Sequence, residues 1–406
     1  MSENPIIVVG SGQAGLQVVD SVRRGGYEGS LVLIGNEDSL PYQRPPLSKK
    51  YMSEDMADER LLFRPEDYYQ KKNVELTLGA EVSELNTRTR TLQVDGKTLE
   101  FAKLALATGA SVRRLPVSGA EQTGVCYLRS LEDARYIRAE LSGGPRRVVA
   151  IGGGFIGLEI AASACELGHS VTVIEAQDRL MARVVAPIVS DYCLKVHRAH
   201  GIEVLLNAAV SRIERTDDVS LEVVLADERT VAADIIVVGI GSIPHVELAE
   251  AAGLSCNNGI VVDEFAQTSD TNVVAAGDCT MHKNARLDIC HRLESVQNAV
   301  DQAKIAAATL LGESKPYEQI PWFWSDQFAA KLQMVGTSVG FDRTVLRGAV
   351  EDDAFSVFYF QSDSLIGVDS INRPSDHVVS RKLLAAGASV PDGMIEDLKR
   401  NLKTLL

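Results

Sequence analysis

The sequence lacks the features of a membrane or secreted protein. No apolar run reaches the roughly 18 to 20 residues of a membrane-spanning helix, and we expect no signal peptide at the N-terminus. Cysteine is scarce, with six residues in a chain of 406, and no Cys-x-x-Cys spacing occurs. We therefore predict free thiols in a cytoplasmic protein rather than a disulfide framework or a zinc site.

Positive charge is also in short supply. The chain has 41 Lys and Arg residues against 55 Asp and Glu residues, for a net charge of −14. This balance disfavours nucleic acid and anionic membranes as main partners. Basic residues near the C-terminus form a candidate local patch, although such charges usually only solvate a surface. These residues are Arg381, Lys382, Lys399, Arg400 and Lys403.

A glycine-rich turn follows the first apolar segment, Ile6-Ile7-Val8-Val9. The pattern Gly10-x-Gly12-x-x-Gly15 between a buried strand and a helix is typical of dinucleotide binding, with the phosphates at the helix N-terminus. Glycines after a strand can also form a plain turn. The next strand, Leu31-Val32-Leu33-Ile34, ends in Gly35-Asn36-Glu37, and Glu37 has the spacing of a ribose-binding acid.

The same arrangement occurs a second time. An apolar strand leads into Gly152-x-Gly154-x-x-Gly157 and a helix, and a further strand ends at Glu175. Two complete units are hard to explain as coincidence, so we predict two dinucleotide folds. A carboxylate at position 175 would accept hydrogen bonds from a 2′-hydroxyl and repel a 2′-phosphate, which favours NAD over NADP. Arg179 and Arg183 lie nearby in sequence and keep the alternative open.

Other apolar strands end in glycine. They are predicted at Leu104-Ala105-Leu106-Ala107-Thr108-Gly109, at 234–241 and at 272–278. Asp278 at the end of the last one is either a helix cap or a residue that reaches a ligand. A helix is predicted from Val296, and its N-terminus would favour an anion.

The composition changes at Pro316 and Pro321. From Trp322 onward we predict an α+β unit of about 85 residues. Trp322 and Trp324 share one face of a predicted strand, so ordinary core packing explains at least one of them.

Six motifs occur along the chain in a characteristic order. They are Gly10-x-Gly12-x-x-Gly15, Arg44-Pro45-Pro46-Leu47-Ser48-Lys49, Ala107-Thr108-Gly109, Gly152-Gly153-Gly154-Phe155-Ile156-Gly157-Leu158-Glu159, Ala276-Gly277-Asp278 and Trp322-Phe323-Trp324-Ser325-Asp326-Gln327. Together they resemble the FAD-dependent, NADH-using ferredoxin reductases of oxygenase systems, the putidaredoxin reductase and biphenyl dioxygenase ferredoxin reductase family. The resemblance covers essentially the whole chain.

The resemblance implies an α/β fold with two Rossmann-like, glutathione-reductase-like domains and a C-terminal α+β domain. The implied FAD domain is discontinuous and comprises residues 1–112 and 243–319. The NAD domain comprises residues 113–242, and the C-terminal domain comprises residues 320–406.

The resemblance also assigns site residues for FAD. It implies that Ala14 lies at the pyrophosphate turn, Val82 against the adenine and Asp278 at the ribityl chain. The helix from Val296 would point its N–H groups at the pyrimidine edge of the flavin, and Trp324 would lie near the electron exit. The complete FAD set is Gly10, Gly12, Ala14, Gly15, Asn36, Glu37, Arg44, Lys49, Val82, Thr108, Gly109, Arg129, Asp278, Val296 and Trp324.

Two residues carry the implied chemistry. Lys49 and Glu159 would form an ion pair beside flavin N5, where the nicotinamide stacks, and would act as the catalytic residues. The implied NAD set is Gly152, Gly154, Ile156, Gly157, Glu175 and Gly241.

Residues 36–60 contain no cysteine, whereas disulfide reductases of this fold place their thiol after the first ribose acid. Electrons from NADH and FAD are therefore expected to pass, one at a time, to an external 2Fe–2S ferredoxin. That ferredoxin would serve a haem-thiolate monooxygenase or a ring-hydroxylating dioxygenase. A rubredoxin reductase would share every motif. A binding protein that senses NADH, akin to the apoptosis-inducing flavoproteins, is the alternative from another class.

Overall fold

The computed structural model describes residues 4–54, 56–216 and 220–406. The chain divides into two compact units. Unit 1 comprises Met1–Gln43, Asp58–Ser111 and Ile243–Phe323, and unit 2 comprises Arg44–Ala57, Val112–Ser242 and Trp324–Leu406. Among the described residues, no helix is both long and apolar enough to cross a bilayer.

Unit 1 is built on a five-stranded parallel sheet. Its strands are largely buried, and Ile6–Val9 consists of β-branched residues only, as expected for a sheet that is covered on both faces. The helices Gln13–Arg24 and Val296–Leu310 pack on one face through residues at helical spacing such as Val18, Val22 and Ala303. In spatial order the strands are Val273–Ala275, Lys103–Leu106, Ile6–Val9, Leu31–Ile34 and Val74–Thr77.

Smaller elements complete unit 1. One antiparallel sheet contains Val82–Asn86, Thr91–Val94 and Lys97–Glu100, and another sheet contains Ile260–Val262, Thr280–Asn284 and Ile289–His291. Short helices span Glu66–Lys71 and Glu247–Ala251, with a 3-10 turn at Asp58–Leu61. Two short strands, Ala110–Val112 and Ser242–Pro244, lie where the chain passes between the units.

Unit 2 contains a second five-stranded parallel sheet, in the order Glu203–Leu205, Ser170–Ile174, Arg147–Ile151, Ile235–Val238 and Val125–Tyr127. The accompanying helices are Leu131–Leu141, Phe155–Glu166 and Pro187–Ala199. The antiparallel strands Val210–Arg215, Leu221–Leu225 and Thr230–Ala233 form a separate sheet.

The C-terminal part is an antiparallel sheet with helices. The strands are Trp322–Gln327, Ala330–Gly336, Ser364–Ile371, Ala354–Gln361 and Arg343–Ala349 in spatial order. The helices are Pro374–Ala386 and Asp392–Glu396, with 3-10 turns at Val350–Asp352 and Leu402–Leu405. The segment 44–57 contributes the 3-10 turn Pro45–Ser48 and the helix Lys50–Ser53 to unit 2.

The predicted fold class is confirmed, since each glycine turn lies between a strand of a parallel sheet and a helix. The division into three domains with boundaries at 112, 242 and 319 stays a prediction. The helix-cap alternative for Asp278 is wrong. Asp278 lies in a turn between the strands Val273–Ala275 and Thr280–Asn284, where Gly277 has a φ of 90°.

Candidate functional site

The first glycine turn is sterically closed at its two ends. Gly10 has a φ of 108°, and a Cβ there would lie 2.0 Å from Ala107 O. A Cβ on Gly15 would lie 1.8 Å from Gly10 O. Both positions therefore require glycine for the fold itself, because the strand and the helix approach each other too closely for any side chain.

Gly12, in the middle of the same turn, is different. Its φ of −80° is open to any residue, and a Cβ there would meet no protein atom within 4 Å. The fold does not need a glycine at this position, so the open space fits an external group. The helix Gln13–Arg24 has no side-chain cap and no acidic residue in its first turn, so its N–H groups suit the pyrophosphate of a dinucleotide.

The predicted ribose acid of unit 1, Glu37, is held by a tyrosine. Tyr42 donates from its hydroxyl to Glu37 Oε2 at 2.6 Å, and Tyr42 is buried while Glu37 is half-buried. Asn36 beside it is exposed, and Val82 is half-buried at the start of the strand Val82–Asn86. Tyr42 does not belong to the predicted site residues, although it lies next to the Arg-Pro-Pro motif.

Asp278 lies against the first glycine turn. A Cβ on the preceding Gly277 would lie 3.0 Å from Ala14 Cβ, which places the Asp278 turn beside the start of the helix. Gln302 Oε1 accepts hydrogen bonds from Gly277 N at 2.9 Å and Thr280 Oγ1 at 2.8 Å. Gln302 is buried in the alanine-rich helix and does not belong to the predicted site residues.

The remaining predicted FAD residues of unit 1 lie in the loop after Leu106 and at a helix start. Thr108 Oγ1 donates to His245 O at 2.8 Å, and Gly109 has a φ of 69°. Ser295 caps the helix from Val296, since its Oγ accepts from Asn298 N at 3.0 Å. The first turn of that helix has no acidic residue, so its N-terminus is electrostatically suited to an anion.

The second glycine turn repeats the first. Gly152 has a φ of 109°, and its Cβ would lie 2.4 Å from Gly239 O. A Cβ on Gly157 would lie 2.0 Å from Gly152 O. At Gly154 the nearest atom to a Cβ is 3.9 Å away, so this middle glycine also opens onto space that fits a phosphate. Ile156 is 43% exposed beside it, and Gly241 has a φ of 111° in the loop after the neighbouring strand Ile235–Val238.

The backbone of this turn orients the second ribose acid. Glu175 accepts hydrogen bonds from Gly153 N at 2.6 Å and from Gln177 N at 2.7 Å. Arg179 donates to Val185 O and Ser190 Oγ, each at 2.8 Å, and to Ala182 O. Arg179 is therefore engaged within the following loop, which weakens the case for a 2′-phosphate partner at this position. Arg183 is exposed.

Lys49 and Glu159 lie together in unit 2. Lys49 Nζ is 2.8 Å from Glu159 Oε2, and Glu159 is buried on the helix Phe155–Glu166. Two serine hydroxyls also donate to this carboxylate, Ser48 to Oε2 at 2.6 Å and Ser325 to Oε1 at 2.7 Å. Both serines occur in the motifs of the sequence, yet neither belongs to the predicted site residues.

Three more predicted FAD residues belong to unit 2. Arg44 Nη1 donates to Arg129 O at 2.7 Å, and Trp324 is half-buried on the strand Trp322–Gln327. The predicted FAD set is thus divided between the units. Unit 1 holds the glycine turn, the ribose acid and Asp278, whereas unit 2 holds Arg44, Lys49, Arg129 and Trp324.

The cysteines offer no redox pair. All six carry free thiols, and burial raises the pKa of Cys126 and of Cys193 to about 12. Burial also raises the pKa of Cys165, Cys256 and Cys279. These thiols are protonated at neutral pH and are poor nucleophiles.

In the described part of the chain, no cluster of three or more His, Cys, Asp or Glu residues could hold a metal ion.

The chain is similar to known proteins over nearly its whole length. A family model described as pyridine nucleotide-disulphide oxidoreductase matches residues 4–303, and one described as reductase C-terminal matches residues 322–406. Rhodocoxin reductase of Rhodococcus erythropolis is 42% identical over 98% of this chain and 93% of its own length.

Two solved structures have the same fold. A ferredoxin reductase for the CYP199A2 system from Rhodopseudomonas palustris is 42% identical and superposes with a TM-score of 0.96 over 99% of each chain. The covalent complex of putidaredoxin reductase with putidaredoxin contains a chain that is 38% identical, with a TM-score of 0.95 over 100% of this chain and 98% of that one.

Proposed function

The chain belongs to the pyridine nucleotide-disulphide oxidoreductase family, and from this premise we propose that it is an FAD-dependent NADH:ferredoxin reductase. It takes electrons from NADH and delivers them one at a time to a 2Fe–2S ferredoxin of an oxygenase system, with a haem-thiolate monooxygenase or a ring-hydroxylating dioxygenase as the terminal enzyme. When bound, FAD accepts electrons in pairs from nicotinamide and releases them singly.

The observation that carries this function is the pair of glycine turns. In each turn the outer glycines are required by the fold, while Gly12 and Gly154 open onto space that no side chain among the described residues fills. One chain therefore presents two phosphate-binding helix starts, each with a ribose acid. Residues 36–60 contain no cysteine to relay electrons, so electrons leave directly to an external acceptor.

The two turns take different dinucleotides. Gly10, Gly12, Ala14 and Gly15 would bind the FAD pyrophosphate, and Asp278 would bind the ribityl chain. In unit 2 Gly152, Gly154 and Gly157 would bind the NADH pyrophosphate, with Ile156 and Gly241 also contributing to the site. Glu175 supports NADH over NADPH. Backbone N–H groups orient its carboxylate, and a carboxylate accepts a hydrogen bond from a 2′-hydroxyl but repels a 2′-phosphate.

Lys49 and Glu159 supply electrostatics rather than covalent chemistry. When FAD is bound, the Lys49 ammonium would stabilise the negative charge that the flavin acquires on reduction. The buried Glu159 fixes the ammonium at 2.8 Å. The same pair leaves one defined face for the nicotinamide.

The ferredoxin docks through electrostatic attraction to basic residues on the surface of this chain. Ferredoxins are usually acidic, so a chain with a net charge of −14 has to gather positive charge locally. Of the basic candidates, Arg64 is paired with Asp20 at 3.2 Å and Arg400 lies 3.5 Å from Asp397. Lys50, Arg381, Lys382 and Lys399 complete the candidate set, with Trp324 near the electron exit.

We place the protein in the cytoplasm because its six thiols are free.

The test is reoxidation of the NADH-reduced protein. In anaerobic stopped-flow experiments, a panel of purified 2Fe–2S ferredoxins and rubredoxins is mixed with the reduced protein at several ionic strengths. At least one ferredoxin should reoxidise it rapidly, at a rate that falls with salt, because exposed charges are screened over about 10 Å at 0.1 M. Faster reoxidation by rubredoxin would favour the rubredoxin reductase. A reduced protein that no acceptor reoxidises would favour the NADH sensor.

A further inference from the structure

Three stretches of unit 2 that are distant in sequence meet at one carboxylate. Glu159 lies on the helix after the second glycine turn and is 3% exposed. Its Oε2 accepts from Lys49 and Ser48, in the segment 44–57, and its Oε1 accepts from Ser325, in the strand Trp322–Gln327. Lys49 alone would leave Oε1 without a donor, so Ser325 completes the set.

The two serines are themselves held in place. Gln327 Nε2 donates to Ser325 Oγ at 3.2 Å, so the Ser325 proton is free to point at Glu159. The Ser48 carbonyl accepts from Ser163 Oγ at 3.0 Å, and Ser163 lies one helical turn after Glu159. All of these side chains are buried. Gln327 Oε1 has no hydrogen-bond partner among the described residues, but both oxygens of the Glu159 carboxylate have donors, and buried hydrogen bonds of this kind restrict the group that they hold.

We propose that Ser325 and Ser48 are positioning residues for hydride transfer, which act by holding the Glu159 carboxylate and through it the Lys49 ammonium in one place. This inference rests on the proposed function. The terminal torsion of a glutamate is soft, so a carboxylate bound only through Oε2 can rotate and carry the ammonium with it. A displacement of about 1 Å near the reacting atoms can cost about a hundredfold in rate.

The geometry predicts a larger loss of rate when the Ser325 hydroxyl is removed than when the Ser48 hydroxyl is removed. Ser325 is the donor to Oε1, whereas Oε2 keeps Lys49 when Ser48 loses its hydroxyl. Removal of the Ser325 hydroxyl therefore frees the carboxylate more than removal of the Ser48 hydroxyl does. Neither hydroxyl contributes charge, so the effect should fall on the rate of reduction rather than on the affinity for NADH.

The test uses Ser325→Ala, Ser48→Ala and, as a matched control, Ser338→Ala. Ser338 lies in the C-terminal part, and its hydroxyl donates only to a backbone carbonyl, Val184 O at 2.9 Å. Each flavin-loaded protein is mixed anaerobically with NADH in a stopped-flow instrument, and the limiting rate of flavin reduction, the NADH Kd and the FAD content are measured. The limiting rate should fall about three- to tenfold in Ser325→Ala, less in Ser48→Ala and not at all in Ser338→Ala.

A double-mutant cycle separates positioning from a general structural effect. In a Glu159→Gln background, Ser325→Ala should change the limiting rate less than it does in the unmodified protein, because the group that it positions has already been altered. Equal losses in both backgrounds, or a wild-type rate in Ser325→Ala, would overturn the inference. If Ser325→Ala fails to fold, Ser48→Ala in the same two backgrounds decides it. A normal NADH-driven rate in the unmodified protein keeps the proposed function intact in either case, whereas its absence would overturn both.

Discussion

The two glycine turns share a backbone and differ in their side chains. Gly10 and Gly152 have φ values of 108° and 109°, and a Cβ at Gly15 or Gly157 would collide with the first glycine of its own turn. The ribose acids differ, however. Glu175 directly follows its strand and is bound by backbone N–H groups, whereas Glu37 comes two residues later and is bound by Tyr42.

The two units also differ in where a glycine makes room for a neighbouring side chain. In unit 1 the residue after the strand is Gly35, and a Cβ there would lie 2.0 Å from Ser11 Oγ. In unit 2 the turn itself supplies the glycine, since a Cβ on Gly153 would lie 2.6 Å from Leu180 Cδ2 and 3.0 Å from Glu175 Oε2. The small residue at Gly153 therefore leaves space for the Glu175 side chain beside the turn.

The following helices differ at equivalent positions. Two residues after the last glycine, unit 1 has Gln17, which donates to Ser21 on its own helix at 3.0 Å. Unit 2 has Glu159 at this position, with donors from Lys49, Ser48 and Ser325. The shared backbone suits the phosphate binding that we propose for both turns, and the changed side chain explains why only one of the two helices takes part in the proposed chemistry.

The largest expected effect comes from exchanging the open glycines. Gly12→Val should give colourless or unfolded protein, because the new side chain fills the space of the FAD pyrophosphate. Gly154→Val should keep its FAD and lose reduction by NADH. Flavin absorbance per protein and anaerobic NADH titration measure the two outcomes. If Gly12→Val bound FAD normally, the assignment of the first turn would be wrong.

The second-largest effect is expected from removal of the Lys49 ammonium. Lys49→Ala should slow flavin reduction about a hundred- to a thousandfold, the size of effect seen when one stabilising donor is removed, and should leave the FAD content largely unchanged. The neighbouring Lys50 is exposed, with Glu54 3.9 Å away, so Lys50→Ala is the matched control. Rapid-mixing traces with NADH give both rates. Unchanged kinetics in Lys49→Ala would make Lys49 an ordinary solvated lysine.

The ribose acid of unit 2 should control the choice of nicotinamide. Glu175→Ala with Ala176→Arg should lower kcat/KM for NADH by about tenfold or more, because a charged hydrogen bond contributes about 1.5–3 kcal/mol, and should raise it for NADPH. Glu166→Ala, which removes an exposed acid from the same unit, should change neither value. Equal kcat/KM for the two cofactors in the unmodified protein would contradict the assignment.

The smallest effect is expected at the tyrosine of unit 1. Tyr42→Phe removes one hydrogen bond to Glu37 and should weaken FAD binding by about 1 kcal/mol, or roughly fivefold. Tyr27→Phe is the control, since its hydroxyl makes only a 3.4 Å contact with Ser30 O. FAD release in a denaturant or salt titration would show the difference. A variant that binds FAD as tightly as the unmodified protein would show that Tyr42 does not prepare Glu37 for the ribose.

Much of the fold was predictable because its signals are local. The strands Ile6–Val9 and Arg147–Ile151 contain continuous apolar runs, and the glycine spacing between strand and helix requires only adjacent residues. Asp278 illustrates the limit. Its place after an apolar strand was correct, but the sequence allowed both a helix cap and a ligand contact, and only the following strand Thr280–Asn284 excludes the cap.

The sequence by itself determined the two glycine turns, the ribose acids and the absence of a relay thiol, because each depends on residues close together in the chain. Only the tertiary structure decided which side chains meet at Glu159, at Glu37 and at Gly277. Ser48 and Ser325 are 111 and 166 residues away from Glu159 along the chain, and Gln302 is 25 residues away from Gly277. Hydrogen bonds of this kind depend on how separate strands and helices pack, and local sequence patterns carry no information on that packing.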